Sequence, residues 1–152
     1  MQTRRETLRQ GMTVAGLMAA AGLLPTQAQA AWTSAAFEAK TLADSIKALG
    51  GGAPVASKDV TLTGPDIAEN GAVVPLGAAC ALPGVKRLAL LVEKNPSVLA
   101  AVFDINDALE PNIATRVKMG QSSNVYAVAL MADGKVLYAQ KEVKVTLGGC
   151  GG

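Results

Sequence analysis

The stretch "NVYAVALMADGKVLYAQKEVKVTL", residues 124–147, decides the fold. Two apolar runs flank Asp133-Gly134, a dipeptide suited to the positive backbone angles of a two-residue hairpin turn. The second arm alternates, with Val143, Val145 and Leu147 on one face and Lys144 and Thr146 on the other, the period of a half-buried strand. "IATRVKM", residues 113–119, repeats the pattern, with Ile113, Thr115, Val117 and Met119 inward against Arg116 and Lys118. "DVTLT", residues 59–63, alternates Val60 and Leu62 against polar neighbours. "KRLALLVE" and "VLAAVFDI" are short continuous apolar runs, expected as strands with one or both faces covered.

Turn signals punctuate these runs at Gly64-Pro65, Asn70-Gly71, Pro83-Gly84, Asn95-Pro96 and Glu110-Pro111. About seven strands, spaced roughly 8 to 12 residues apart without intervening helical patterns, predict an all-β antiparallel sandwich. One helix precedes it, expected over about residues 33–49. Thr33-Ser34 can cap it, Glu38 falls in its first turn, and Ala35, Ala39, Leu42, Ile46 and Leu49 form one apolar stripe that would cover a sheet edge or meet a partner. Gly50 to Gly52 and Pro54 stop it.

Residues 1–30 read as an export signal. Arg4, Arg5 and Arg9 form a positive segment, Met12 to Leu24 an apolar one, and Ala28-Gln29-Ala30 a small-residue cleavage site. The apolar run is shorter than the roughly 20 residues that span a bilayer, so no membrane association is expected after its removal. Thr3-Arg4-Arg5 favours the twin-arginine route over the general secretory one, although Thr7 stands where a phenylalanine is usual. Residues 1–30 hold three of the fourteen basic groups and one of the twelve acidic, so the remainder carries eleven of each. The formal +2 of the full chain therefore argues for no polyanion-binding surface. With 3% aromatic residues there is little stacking surface for bases, and nucleic-acid binding is not expected.

The chain contains no histidine. Ser-His-Asp and Cys-His hydrolases, histidine-rich zinc and copper sites and histidine-ligated haem are excluded together. The carboxylates are scattered, as in Asp104-Ile105-Asn106-Asp107, and read as solvated surface charge. Two thiols remain. Cys80 lies in "PLGAACALPG", a small-residue apolar stretch suited to a buried, inert thiol. Cys150 lies in "GGCGG", between Gly148-Gly149 and Gly151-Gly152. Glycines neither pack nor restrain the backbone, so this thiol is expected to act away from the domain on a flexible arm, residues 148–152, attached to a sandwich of residues 31–147. Three residues beyond Leu147, it has a reach on the order of 10 Å. No neighbouring cation lowers its pKa, so activation would come from the site it enters. The pattern is that of a carrier: a cargo held on sulfur and presented to the active sites of other proteins, with no turnover of its own.

"GGCGG", "TRVKM" followed by "SSNVYAVA", and "KVKVTLGGCGG" together resemble the SoxY family, the sulfur-carrying subunits of the periplasmic Sox thiosulfate-oxidation system. The resemblance is most specific from Asn95 to Gly152. It implies an immunoglobulin-like fold, thiosulfate-derived intermediates attached to Cys150, no cofactor or metal, and a heterodimer with the related subunit SoxZ. It further implies visits by a c-type cytochrome that loads the sulfur, a hydrolase that releases sulfate and, in some organisms, a sulfane dehydrogenase.

Two other readings stay open. Gly151-Gly152 is also the ending of ubiquitin-like carriers that hold sulfur as a thiocarboxylate, but those need ATP, from which an exported chain is separated. Alternatively the protein is a structural β-sandwich module tethered to a partner through a Cys150 disulfide, a bond that oxidising compartments favour.

Overall fold

The structure, a computed structural model, describes residues 34–146. The predicted export signal and the glycine-cysteine segment lie outside the described residues. Among the described residues two short helices come first, α1 (Ser34–Glu38) and α2 (Leu42–Ala48), where a single helix was expected. Thr41 is the reason for the break. Its backbone is extended, its Oγ accepts a hydrogen bond from the Asp44 amide at 3.1 Å, and its hydroxyl donates to Asp44 Oδ2 at 2.6 Å. This reciprocal cap starts a new helix inside the apolar stripe, and Glu38 becomes the last residue of α1 rather than part of a first turn. The glycine stop forms as expected. Gly50, at φ +83°, donates to Lys47 O and Gly51 to Ile46 O, the paired bonds of a left-handed helix end.

Nine strands follow: β1 (Pro54–Ala56), β2 (Val60–Thr63), β3 (Ile67–Ala68), β4 (Val74–Cys80), β5 (Val85–Val92), β6 (Leu99–Asp104), β7 (Asn112–Val117), β8 (Ser123–Met131) and β9 (Val136–Val145). The larger sheet runs β1-β9-β8-β5-β6, and the smaller one β2-β4-β7. Pairing is antiparallel except on the outer edge of β9, where β1 and β3 add in parallel at opposite ends. These two pieces, of three and two residues, are too short to carry a sequence period and raise the strand number above the expected seven.

The β8–β9 hairpin is present, with a longer connection than two residues. Gly134, at φ +86°, donates to Met131 O, and Lys135 N donates to Asp133 Oδ1, so the chain turns over Ala132–Lys135.

The sheets face each other across a core of Val74, Leu76, Ala78 and Cys80 from β4, Leu88, Leu90 and Val92 from β5, and Val125, Ala127, Ala129 and Val143 from the hairpin. A second core forms on the other side of the larger sheet, where Ala36, Ile46 and Leu49 of the helical segment pack on Ala89, Leu91, Val128 and Leu130. The stripe is therefore interior packing at Leu42, Ile46 and Leu49, covering a sheet face rather than an edge, whereas Ala35 is exposed and Ala36 is buried in its place. Five consecutive residues of β5, Leu88 to Val92, are fully buried because both faces of that strand are covered.

Candidate functional site

Cys150 and the flanking Gly148, Gly149, Gly151 and Gly152 lie outside the described residues. What the structure does place is the end of β9, from which the chain proceeds towards them. The β8 ladder on β9 finishes at the pair Ser123 and Val143. Beyond it, β9 is held by a strap made from the connection between β2 and β4. Lys144 N donates to Asp66 O at 2.9 Å and Thr146 N to Ala68 O at 3.1 Å. Lys141 reaches back to the same strap, its Nζ 2.6 Å from Gly64 O and 2.9 Å from Asp66 Oδ1. That ammonium holds the Asp66 carboxyl below its ordinary range, first by hydrogen bonding and then by charge.

On the opposite edge of β9, Ser122 Oγ accepts from Val145 N at 2.9 Å and its hydroxyl lies 3.5 Å from Val145 O. The backbone is thus fixed as far as Thr146, four residues before Cys150. Sequence reasoning missed these supports. Ser122 gives no periodic signal, and a two-residue strand such as β3 is too short to register.

Cys80 ends β4 facing inward, 6% exposed, a free thiol in the core between the sheets. Asp104 pairs with Arg87 at 2.6 Å, and Asn106 Oδ1 accepts from Ala108 N, so these two side chains of the segment make structural contacts. Among the described residues no group of three or more His, Cys, Asp or Glu side chains could hold a metal ion. An open groove of about 460 Å³ on the outer face of the smaller sheet is lined by small and apolar residues, with Arg116 its one charged group. It presents no nucleophile and no acid–base pair. Among the described residues no helix is long and apolar enough to cross a membrane.

Comparison with known proteins identifies the relatives of this architecture. The family described as sulfur oxidation protein SoxY matches residues 46–150. Among solved structures, the sulfur carrier protein SoxY from Chlorobium limicola f thiosulfatophilum is similar at 31% identity and a TM-score of 0.60, over 67% of this chain and 92% of that one. A superoxide reductase (neelaredoxin) from Ignicoccus hospitalis is similar at 17% identity and a TM-score of 0.51, over 57% of this chain and 80% of that one. This second likeness concerns the fold alone. No curated protein matches the sequence.

Proposed function

The chain belongs to the SoxY family of sulfur-oxidation proteins, and from that premise we propose that it carries sulfur intermediates of thiosulfate oxidation covalently on Cys150. The observation that carries this reading is the extent of the family match, which runs through residue 150 and so includes the glycine-flanked thiol itself. Gly148, Gly149, Gly151 and Gly152 serve as the joints of a carrier arm. Its anchor is the end of β9, fixed to Thr146, and four residues of extended chain give Cys150 a reach of about 14 Å from there.

Attaching thiosulfate to a thiol through a new sulfur–sulfur bond releases a proton from the thiol and two electrons. The protein therefore acts as a substrate for a c-type cytochrome that accepts the electrons, rather than as an enzyme. A hydrolase then releases sulfate with water, and a sulfane dehydrogenase oxidises what remains on the arm where one is present. The working form is a heterodimer with SoxZ in the periplasm, reached through the twin-arginine signal of residues 1–30.

Changing Cys150 to Ser tests the proposal. The variant should fold with an unaltered urea transition, because its site lies beyond the packed strands, and lose every reductant-labile adduct that mass spectrometry finds on the unaltered protein after thiosulfate feeding. A thiosulfate-dependent activity that survives in Cys150→Ser defeats the carrier reading. A stoichiometric, thiosulfate-independent disulfide at Cys150 would instead establish the tethered structural module.

A further inference from the structure

Resting on that carrier reading, we propose that Ser122 is a positioning residue that sets where the arm begins. β9 outlasts its neighbour: the β8 ladder ends at Ser123 and Val143, while β9 continues to Val145. On one edge its last amides alternate onto the strap, Lys144 N to Asp66 O and Thr146 N to Ala68 O. Val145 N points to the other edge, where β8 has already given way to the 118–122 loop. Ser122 fills that place, accepting from Val145 N at 2.9 Å with its hydroxyl 3.5 Å from Val145 O, so one side chain stands in for the missing ladder residue.

The loop carrying Ser122 is itself braced. Asn95 Nδ2 donates to Lys118 O at 2.7 Å, and Asn95 Oδ1 accepts from Gly120 N at 3.3 Å. From the other loop, Gly71 closes on Met119 and on Val145. Its carbonyl accepts from Met119 N at 2.7 Å, and a Cβ on it would lie 2.5 Å from Met119 O and 2.8 Å from Val145 Cγ1.

Without the Ser122 bond, Val145 and Thr146 would hang from a two-residue strand along one edge alone. Releasing them moves the anchor back to Lys144, which Asp66 O still holds, six residues before Cys150 instead of four. A longer arm dilutes the thiol at any docked active site, since effective concentration falls as about the −3/2 power of tether length. Ser122 thereby keeps the cargo close to the face at which the arm emerges.

The test compares Ser122→Ala and Ser122→Thr with the unaltered chain. The Val145 and Thr146 amides should exchange about five- to tenfold faster in Ser122→Ala, the effect of one hydrogen bond on local opening. Ser122→Thr, which keeps the hydroxyl, should restore slow exchange. Spin labels on Cys150 and on an Asp107→Cys site report the arm itself. For a flexible tether the span scales as the square root of its length, so molecules with the strand end released should add a component about one fifth wider to the distance distribution, and this component should grow in Ser122→Ala. Unchanged exchange at Val145 overturns the proposal. So does faster exchange with an unchanged distribution, because Ser122 would then hold the strand without setting the arm. Neither readout depends on a sulfur cargo, so loss of the carrier reading would show separately, as an adduct missing from the unaltered protein.

Discussion

The two sheets of the sandwich meet the same core from opposite sides but differ in what lies behind them. Behind the larger sheet the helical segment packs Ile46 and Leu49 on Leu91, Val128 and Leu130. Behind the smaller sheet nothing among the described residues is packed, and Thr61, Thr63, Pro75, Ala114 and Arg116 face outward, exposed. The difference explains why β5 reads as an unbroken apolar run while β7 alternates. A strand's sequence period thus reports how many of its faces are covered, and the helices, although only five and seven residues long, are the layer that makes β5 interior.

Leu90 and Leu91 put that claim to its largest test. They are adjacent and both fully buried, Leu90 towards the smaller sheet and Leu91 towards the helices. Truncating either to Ala should cost about 2–5 kcal/mol, measured by urea unfolding, and the two values should agree within about 1 kcal/mol if both layers are equally close-packed. A much smaller loss for Leu91→Ala would mean that the helical layer lies loosely on the sheet and would break the comparison.

Gly77 probes the bare side with a smaller effect. It lies on the outward face of β4, yet it is buried because Thr63 from β2 leans over it. An added Cβ would collide with Thr63 Oγ1 and stand 3.2 Å from Ile113 O. Gly77→Ala should therefore destabilise by about 1 kcal/mol, the low end for overpacking, since an exposed threonine can rotate away. The double variant with Thr63→Ala should recover most of the loss, and a failure to recover would place the strain in the β7 backbone instead.

The same contrast accounts for what was legible in the sequence. Long runs with a clear period, such as residues 113–119 and the two arms of the hairpin, give β7, β8 and β9 directly. Asp133-Gly134 marks its turn because only a left-handed residue closes it, though the number of residues in the turn depends on tertiary context. The break between α1 and α2 was present as Thr41 and Asp44, a capping pair three residues apart, but the apolar spacing of Ala35, Ala39 and Leu42 ran across it and masked it. β1 and β3 exist only because β9 offers them an edge, and no local pattern records that. Of the candidate site, the sequence singles out Cys150 by its flanking glycines, a residue outside those the structure describes. It does not single out Ser122, a lone hydroxyl more than twenty residues away from its partner Val145.

Tyr126 sharpens the comparison where the cover on the larger sheet ends, with the smallest expected effect. Its ring lies half-buried on the helix side of the sheet, 6.0 Å from the Tyr138 ring and tilted by 50°. Burial first, and then the charge of Glu93, raise its pKa above the ordinary value of 10.0. A phenol that holds its proton more tightly in the folded chain stays neutral there after the unfolded chain's phenol has ionised. The stability it contributes is full below the unfolded value of about 10 and is lost as the pH rises from there through the folded value. In a Tyr138→Phe background, phenolate absorbance isolates this one titration. Glu93→Gln should lower the midpoint only part of the way, because burial is the larger cause. A complete return to the ordinary value would show that Tyr126 is not covered at all, and that the protected face of the larger sheet stops at Val128, one inward-facing residue further along the strand from the end that leads to Cys150.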